Sequence, residues 1–322
     1  MEEKLVNILN EMAEFLSVAQ MKKLQEVLLK QFSENELQKQ NISNDEYLTM
    51  FLNAKKIEGC SERTLKYYKV TVEHLLKTVT TQIRKMTTDE IRNYLVEYQK
   101  INNCSKVTVD NIRRNISSFF TWLEEEDYIL KSPMRRIHKI KTKTVVKEII
   151  SDEAIEKMRD SCKEKRDIAI IDLLYSTGIR VGELVNINIS DLNLEQRECV
   201  VYGKGDKERR VYFDAKAKIH LQNYIESRTD DNPALFVTLD APYNRLKISG
   251  VEIRLRELGR ELGFTKIHPH KFRRTMATRA IDKGMPIEQV QKILGHSQID
   301  TTMQYAIVNQ TNVKNSHQKY IA

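Results

Sequence analysis

The chain has 322 residues, with 53 Lys and Arg against 45 Asp and Glu, a net charge of +8 and 40% hydrophobic residues. That length suggests two domains, and the composition excludes a disordered or fibrous chain. The basic excess makes a polyanionic partner plausible, while no apolar run approaches the roughly 18 residues of a membrane span, the Met1-Glu2-Glu3-Lys4 start does not resemble a signal peptide, and the 4 cysteines lack disulfide or zinc spacing. A cytoplasmic protein with no bound metal and no membrane partner is expected.

Residues 1–40 read as a helical N-terminal extension. Leu5, Ile8, Leu9, Met12, Phe15 and Leu16, then Met21, Leu24, Leu28 and Phe32, recur at helical spacing, with Ser17 and Gln20 offering a capping box between the two segments. Its acidic residues outnumber its basic ones, which favours packing or self-association over phosphate binding. The polar stretch 33–44 reads as a linker.

Residues 45–130 predict a four-helix domain. The stripes are Tyr47/Met50/Phe51/Ala54, Leu65/Tyr68/Val72/Leu75, Ile91/Leu95/Tyr98 and Ile112/Ile116/Phe119/Leu123, each stepping by three and four. Ser61, Thr87 with Glu90, and Ser105 mark helix starts. Residues 131–150 predict a basic interdomain linker: up to position 147 it carries 7 Lys and Arg and no acidic residue. Arg135, Arg136, Lys139 and Lys141 are candidates to lie along a phosphate backbone; a solvated tether is the alternative.

Residues 151–322 predict a mixed, mostly helical domain. Helices are expected near 152–162 and 165–176, then over Arg180 to Val185. Cys199-Val200-Val201-Tyr202 and Arg210-Val211-Tyr212-Phe213 predict a hairpin around Gly203-Lys204-Gly205-Asp206. Further helices are expected at 215–228, from a Ser249-x-x-Glu252 capping box, from Pro269 to Gly284, from Pro286 to Gly295, and over Tyr305.

Four separated motifs then stand out: Thr177-Gly178-Ile179-Arg180-Val181-Gly182-Glu183-Leu184; Gly203-Lys204-Gly205-Asp206-Lys207-Glu208-Arg209; His270-Lys271-Phe272-Arg273; and Leu294-Gly295-His296 with Tyr305 nine residues on. Each is weak alone, but as an ordered set they resemble the tyrosine recombinase, or phage-integrase, family. The resemblance covers about residues 45–315, and Ser61/Thr64/Tyr68 with Phe119-Phe120-x-x-Leu123 extend it to the four-helix domain.

It implies a mainly α, two-domain DNA clamp: a SAM-like core-binding domain followed by a catalytic domain with a small β-sheet. It also implies site-specific cleavage and rejoining of double-stranded DNA through a covalent 3′-phosphotyrosyl intermediate, without a cofactor. Tyr305 matches the nucleophile. A phenol with an ordinary pKa of about 10 needs a proton acceptor and a cationic surround to attack at neutral pH. Arg180 and Arg273 match the arginines that grip the scissile phosphate, a task suited to a rigid, permanently charged fork. Glu183 lies on the same helical face as Arg180 and is expected to orient it. Lys204, between two glycines, matches the general acid for the departing 5′ oxygen. His270 is expected to handle a proton, with His268 as rival, and His296 to hydrogen-bond the phosphate. Lys207 and Arg209 are expected to contact backbone phosphate. One departure is Arg274, where the family often has His.

The resemblance further implies a homo-tetramer on paired sites, with accessory DNA-bending or directionality proteins as possible partners. The extra segment at the start favours a mobile-element integrase. The alternatives are type IB topoisomerase-like relaxation and a non-catalytic helix-turn-helix regulator built on the segment from Pro286 to Val308. Residues 311–322, with Val313, Tyr320 and Ile321, are expected to dock on a neighbouring protomer.

Overall fold

The computed structural model describes residues 9–13, 15–28, 42–142, 148–203, 208–264, 266–305, 318 and 321. The chain divides into two compact units between Thr144 and Val145. In the first, residues 9–12 and 18–28 are helical, and the Ser17 and Gln20 side chains accept from each other's backbone amides at 3.5 and 3.0 Å.

The body of this unit consists of α1 (Asn44–Ile57), α2 (Glu62–Thr78), α3 (Thr88–Ile101) and α4 (Lys106–Glu125). Each begins where a hydroxyl side chain satisfies an orphan amide: Ser43, Ser61, Thr87 and Ser105 all accept from the residue three further on. Their apolar stripes meet in one core containing Phe51, Val72, Leu75, Ile91, Ile116, Phe119 and Leu123. Phe51 and Phe119 pack edge to face at 5.2 Å. The start of the basic connector belongs to this unit: Thr88 Oγ1 donates to the Pro133 carbonyl at 2.8 Å, and the Ile140 amide to Asp110 Oδ1 at 3.0 Å. Ile137 and Ile140 pack on the same core.

The second unit runs α5 (Asp152–Ser161), α6 (Lys165–Thr177), α7 (Val181–Asn186), β1 (Leu192–Asn193), β2 (Glu198–Tyr202), β3 (Glu208–Tyr212), α8 (Ala215–Glu226), α9 (Ile248–Glu261), α10 (Pro269–Asp282), α11 (Ile287–Leu294) and α12 (Ile299–Met303). The expected hairpin gains a strand, giving an antiparallel sheet in the order β1-β2-β3. Cys199, Val201 and Val211 point into the core while Tyr202, Arg210 and Tyr212 point out, the period-two pattern of a half-buried sheet. Helix α9 begins two residues earlier than the Ser249 pattern implies: extended Lys247 is the N-cap, without a side-chain cap, so Ser249 lies inside the first turn. Among the described residues no helix is long and apolar enough to cross a membrane.

Helix α6 is apolar on most sides, so it sits in the middle of the unit, against α8 and α10. It nevertheless carries buried charges. Asp167 accepts from Arg166 Nη2 at 2.8 Å and from Arg254 Nε at 2.5 Å, tying α6 to α9. Asp172 accepts from Arg159 Nε at 2.6 Å and pairs with His220 on α8. Removing one member of such a set leaves the others desolvated and unpaired. Asp167→Ala should therefore destabilise this unit by about 3–5 kcal/mol, read as a lowered midpoint in urea denaturation followed by far-UV circular dichroism.

Candidate active site

Two helices in the second unit end at glycines in the left-handed region, and both ends face the same place. Gly178 (φ 63°) closes α6 and Gly295 (φ 63°) closes α11. A Cβ on Gly178 would lie 2.3 Å from Met276 Cε, and one on Gly295 would lie 3.0 Å from Arg209 Cδ. Helix C-termini expose carbonyls without intrahelical partners, and here arginines take them.

Arg273, on the first turns of α10, is buried; its Nη1 donates to the Gly178 carbonyl at 2.7 Å and its Nη2 to the Leu294 carbonyl at 2.6 Å. Arg180 follows the Gly178 turn as the N-cap of α7. Its side chain is 43% exposed, and it donates to Glu183 Oε1 at 2.9 Å and to the Gly295 carbonyl at 3.3 Å. Glu183 Oε2 accepts the Arg180 backbone amide at 2.8 Å, so this carboxylate holds both the backbone and the side chain of Arg180.

Arg209 departs from the expected phosphate contact. Its side chain is only 13% exposed; both terminal nitrogens donate to Glu183 at 2.7 Å and Nε to the Ile293 carbonyl at 3.1 Å. The sheet explains why: Arg209 lies opposite Val201 and two residues from Val211, both on the buried face. That signal was present in the alternation of Arg209, Val211 and Phe213. Arg210 takes the outward position, 3.5 Å from Glu198.

His296 follows Gly295. Its Nε2 lies 2.9 Å from Arg273 Nη2 and its Nδ1 lies 2.9 Å from Thr302 Oγ1. Burial, then the charges of Arg273, Arg180, Arg209 and His270, push its pKa down to about 4, so the ring is neutral at physiological pH. Burial, then Arg180, lowers Arg273 to about 10, still cationic at neutral pH. Burial raises the Glu183 carboxyl, but the hydrogen bonds from Arg209 and Arg180 outweigh it and hold the group below its ordinary value.

Tyr305 lies in a turn two residues past the end of α12 rather than within a helix, its amide bonded to the Thr302 carbonyl at 2.9 Å. It is 7% exposed and packs with Ala277, Val290 and Leu294. Its ring stacks on His296, centroids 6.1 Å apart. Arg180, Arg273 and His270 line a cavity of about 300 Å³ together with His268, Glu252 and Arg256. His268 caps α10 and its ring is parallel to that of His270 at 6.5 Å. Arg256, on α9, was not singled out from the sequence, since no motif surrounds it, and Glu252 on the same helix was read only as part of a capping box. Arg274 donates to the Glu148 carbonyl at 2.5 Å, anchoring the incoming chain to α10.

Lys204 and Lys207 lie outside the described residues, as do Val313 and Tyr320. In the connector, Arg135 is exposed but paired with Glu124 at 2.6 Å, whereas Arg136, Lys139 and Lys141 are exposed on the surface of the first unit.

Three guanidinium groups, of Arg180, Arg256 and Arg273, and two imidazoles, of His268 and His270, line one cavity, and Tyr305 stacks on His296, which is hydrogen-bonded to Arg273. The model of the phage integrase family matches residues 140–312, and that of the phage integrase N-terminal SAM-like domain matches residues 47–130. The chain belongs to the phage integrase family and is a tyrosine recombinase, an enzyme that cleaves and rejoins DNA. It is 31% identical over 281 residues to the tyrosine recombinase XerC of Staphylococcus aureus, covering 82% of this chain and 92% of that protein. It is 32% identical over 283 residues to XerC of Thermodesulfovibrio yellowstonii, with the same coverage. In fold it is similar to the Tn1549 transposon integrase in complex with a circular intermediate DNA, with a TM-score of 0.70 at 18% identity over 85% of this chain and 98% of that one. It is also similar to the XerH site-specific recombinase bound to a palindromic difH substrate, with a TM-score of 0.67 at 19% identity over 99% and 95%.

Glu183→Gln should cost about 3 kcal/mol at pH 7, because it removes the charge that two partly buried arginines share. The folded carboxyl titrates below its ordinary value of 4.5. Its contribution is therefore complete above that value and is lost as pH falls through the lower folded pKa. The stability gap between wild type and variant, measured by denaturation, should be full at pH 6–7 and narrow below about pH 4.

Proposed function

We propose that this protein is a site-specific recombinase that cuts each DNA strand by attack of Tyr305. The observation that carries this reading is the convergence of Arg180, Arg273, His296 and Tyr305 from distant stretches of chain, with Arg273 bonded to His296 at 2.9 Å and Tyr305 stacked on it.

Arg180 and Arg273 hold the non-bridging oxygens of the scissile phosphate and stay charged as negative charge grows in the transition state. The Tyr305 phenolic oxygen bonds to phosphorus as its proton passes to His270, and the 5′ oxygen departs with a proton from Lys204. His296 hydrogen-bonds the phosphate. The 3′-phosphotyrosyl ester keeps the energy of the broken bond, so a 5′ hydroxyl from another strand can reverse the step without nucleotide or metal. Tyr305 must first leave its apolar contacts, at a cost of about 2 kcal/mol in lost burial.

Recombining two duplexes breaks four strands, and each chain supplies one Tyr305; a homo-tetramer on paired sites meets that count. A cytoplasmic reaction is part of this reading. A mobile-element role fits the helical segment ahead of the SAM-like domain, with accessory DNA-bending or directionality proteins as further partners.

Incubated with fragmented DNA from its source cells, wild type should yield an SDS-resistant protein–DNA adduct and Tyr305→Phe none; an adduct that survives the substitution would sink the assignment. Sequencing the trapped DNA identifies the site and tells mobile-element junctions from chromosomal ones. Changing Arg136, Lys139 and Lys141 to Gln should weaken binding to that site and flatten its salt dependence, by about 0.9 in log–log slope for each phosphate no longer neutralised, without abolishing cleavage. Arg135 should matter least, because Glu124 already neutralises it. Unchanged affinity and slope reduce the connector to a tether.

A further inference from the structure

Thr302 is fully buried on the short helix α12, and its hydroxyl meets His296 Nδ1 at 2.9 Å. On the other side of the ring, His296 Nε2 faces Arg273 Nη2 at 2.9 Å. A guanidinium only donates, so Nε2 accepts, the proton of the neutral ring sits on Nδ1, and Nδ1–H donates to Thr302 Oγ1. Charged and titratable groups face this ring from several elements: Arg273 and His270 from α10, Arg180 from the start of α7, Arg209 from β3, with Tyr305 stacked on it.

Building on the Tyr305 reading above, we propose that Thr302 is a positioning residue for the reaction: its hydroxyl commits the resident proton of His296 to Nδ1. Nε2 is then left as the only atom at which the ring can take another proton, and Nε2 faces the arginine that grips the phosphate. When a phosphate oxygen approaches Arg273, its negative charge offsets the repulsion from the surrounding arginines. The ring takes one proton from solvent at Nε2, donates it in a hydrogen bond to that oxygen, and returns it to solvent on release. Nδ1–H stays on Thr302 throughout, so the ring need not turn. Without the hydroxyl, Nδ1–H loses its buried partner, and the ring loses its fixed proton and its aim.

Thr302→Val keeps the shape and removes the hydroxyl; Thr302→Ser keeps the hydroxyl; Thr302→Ala serves if the valine variant fails to fold. In full-length protein labelled with 15N-histidine and free of DNA, the ring signal that disappears in His296→Gln should show protonated Nδ1 and bare Nε2 in wild type and Thr302→Ser. In Thr302→Val it should show averaged nitrogen shifts. On the duplex recovered from wild-type adducts, Thr302→Val should cleave about 10-fold more slowly at saturating DNA, with unchanged binding, and Thr302→Ser should recover most of the rate. A valine variant that keeps a single Nδ1-protonated ring means Arg273 alone fixes the tautomer and overturns the proposal; so does an altered tautomer with wild-type cleavage. The nitrogen shifts need no DNA. A tautomer contrast in a wild type that forms no adduct overturns the Tyr305 reading while upholding the Thr302–His296 contact.

Discussion

One carboxylate makes it possible for three guanidinium groups to share a small volume. Arg180 and Arg209 both donate to Glu183, and Arg273 lies close enough to both for their charges to lower its pKa. Like charges about 4 Å apart repel by about 4 kcal/mol at the effective dielectric of a protein surface. A buried carboxylate is itself unfavourable without charged donors. Glu183 and its arginines are therefore stable only together. Three positive groups against one negative still leave an excess, and burial, followed by that excess, keeps His296 neutral. A phosphodiester, the ligand proposed above, would offset part of that excess.

The remaining guanidinium donors point at helix ends. Arg273, Arg209 and Arg180 bond the carbonyls of Gly178, Leu294, Ile293 and Gly295, at the C-termini of α6 and α11. These ends carry partial negative charge and unsatisfied acceptors, so cations there are stabilised twice over. The glycines matter for the same reason: each ends its helix in the left-handed region and leaves room for what must come close, Met276 at Gly178 and Arg209 at Gly295. Helix termination and the placement of these arginines thus use the same backbone atoms.

The sequence made the four-helix unit legible because its apolar stripes are uninterrupted and its helices start at Ser or Thr caps. Arg180, His270, Arg273 and His296 were legible only as parts of an ordered set of motifs that resembles the tyrosine recombinase family. Arg209 was misread because it sits in a charged run beside Lys207, where composition suggests solvent; the alternation into Val211 and Phe213 says otherwise. The early start of α9 was missed because Ser249-x-x-Glu252 satisfies the capping pattern, while the cap is a backbone feature at Lys247. Thr302 and Arg256 had no local signal at all, and the signal at Glu252 pointed to a helix cap rather than to the cavity. Their places depend on contacts between elements far apart in sequence, which periodicity cannot report.

Tyr305 ties these threads together. Its ring rests on apolar side chains of α10 and α11 and against His296, so it is held by the helices that also present Arg273 and the Leu294 carbonyl. A phosphate can favour the release of Tyr305 only by interacting differently with the states before and after it. His296 meets that condition, since it touches the tyrosine ring with its face and Arg273 with its edge. Any reorganisation of Arg273 by an arriving phosphate changes what Nε2 bonds to, and so changes the surface on which the nucleophile rests.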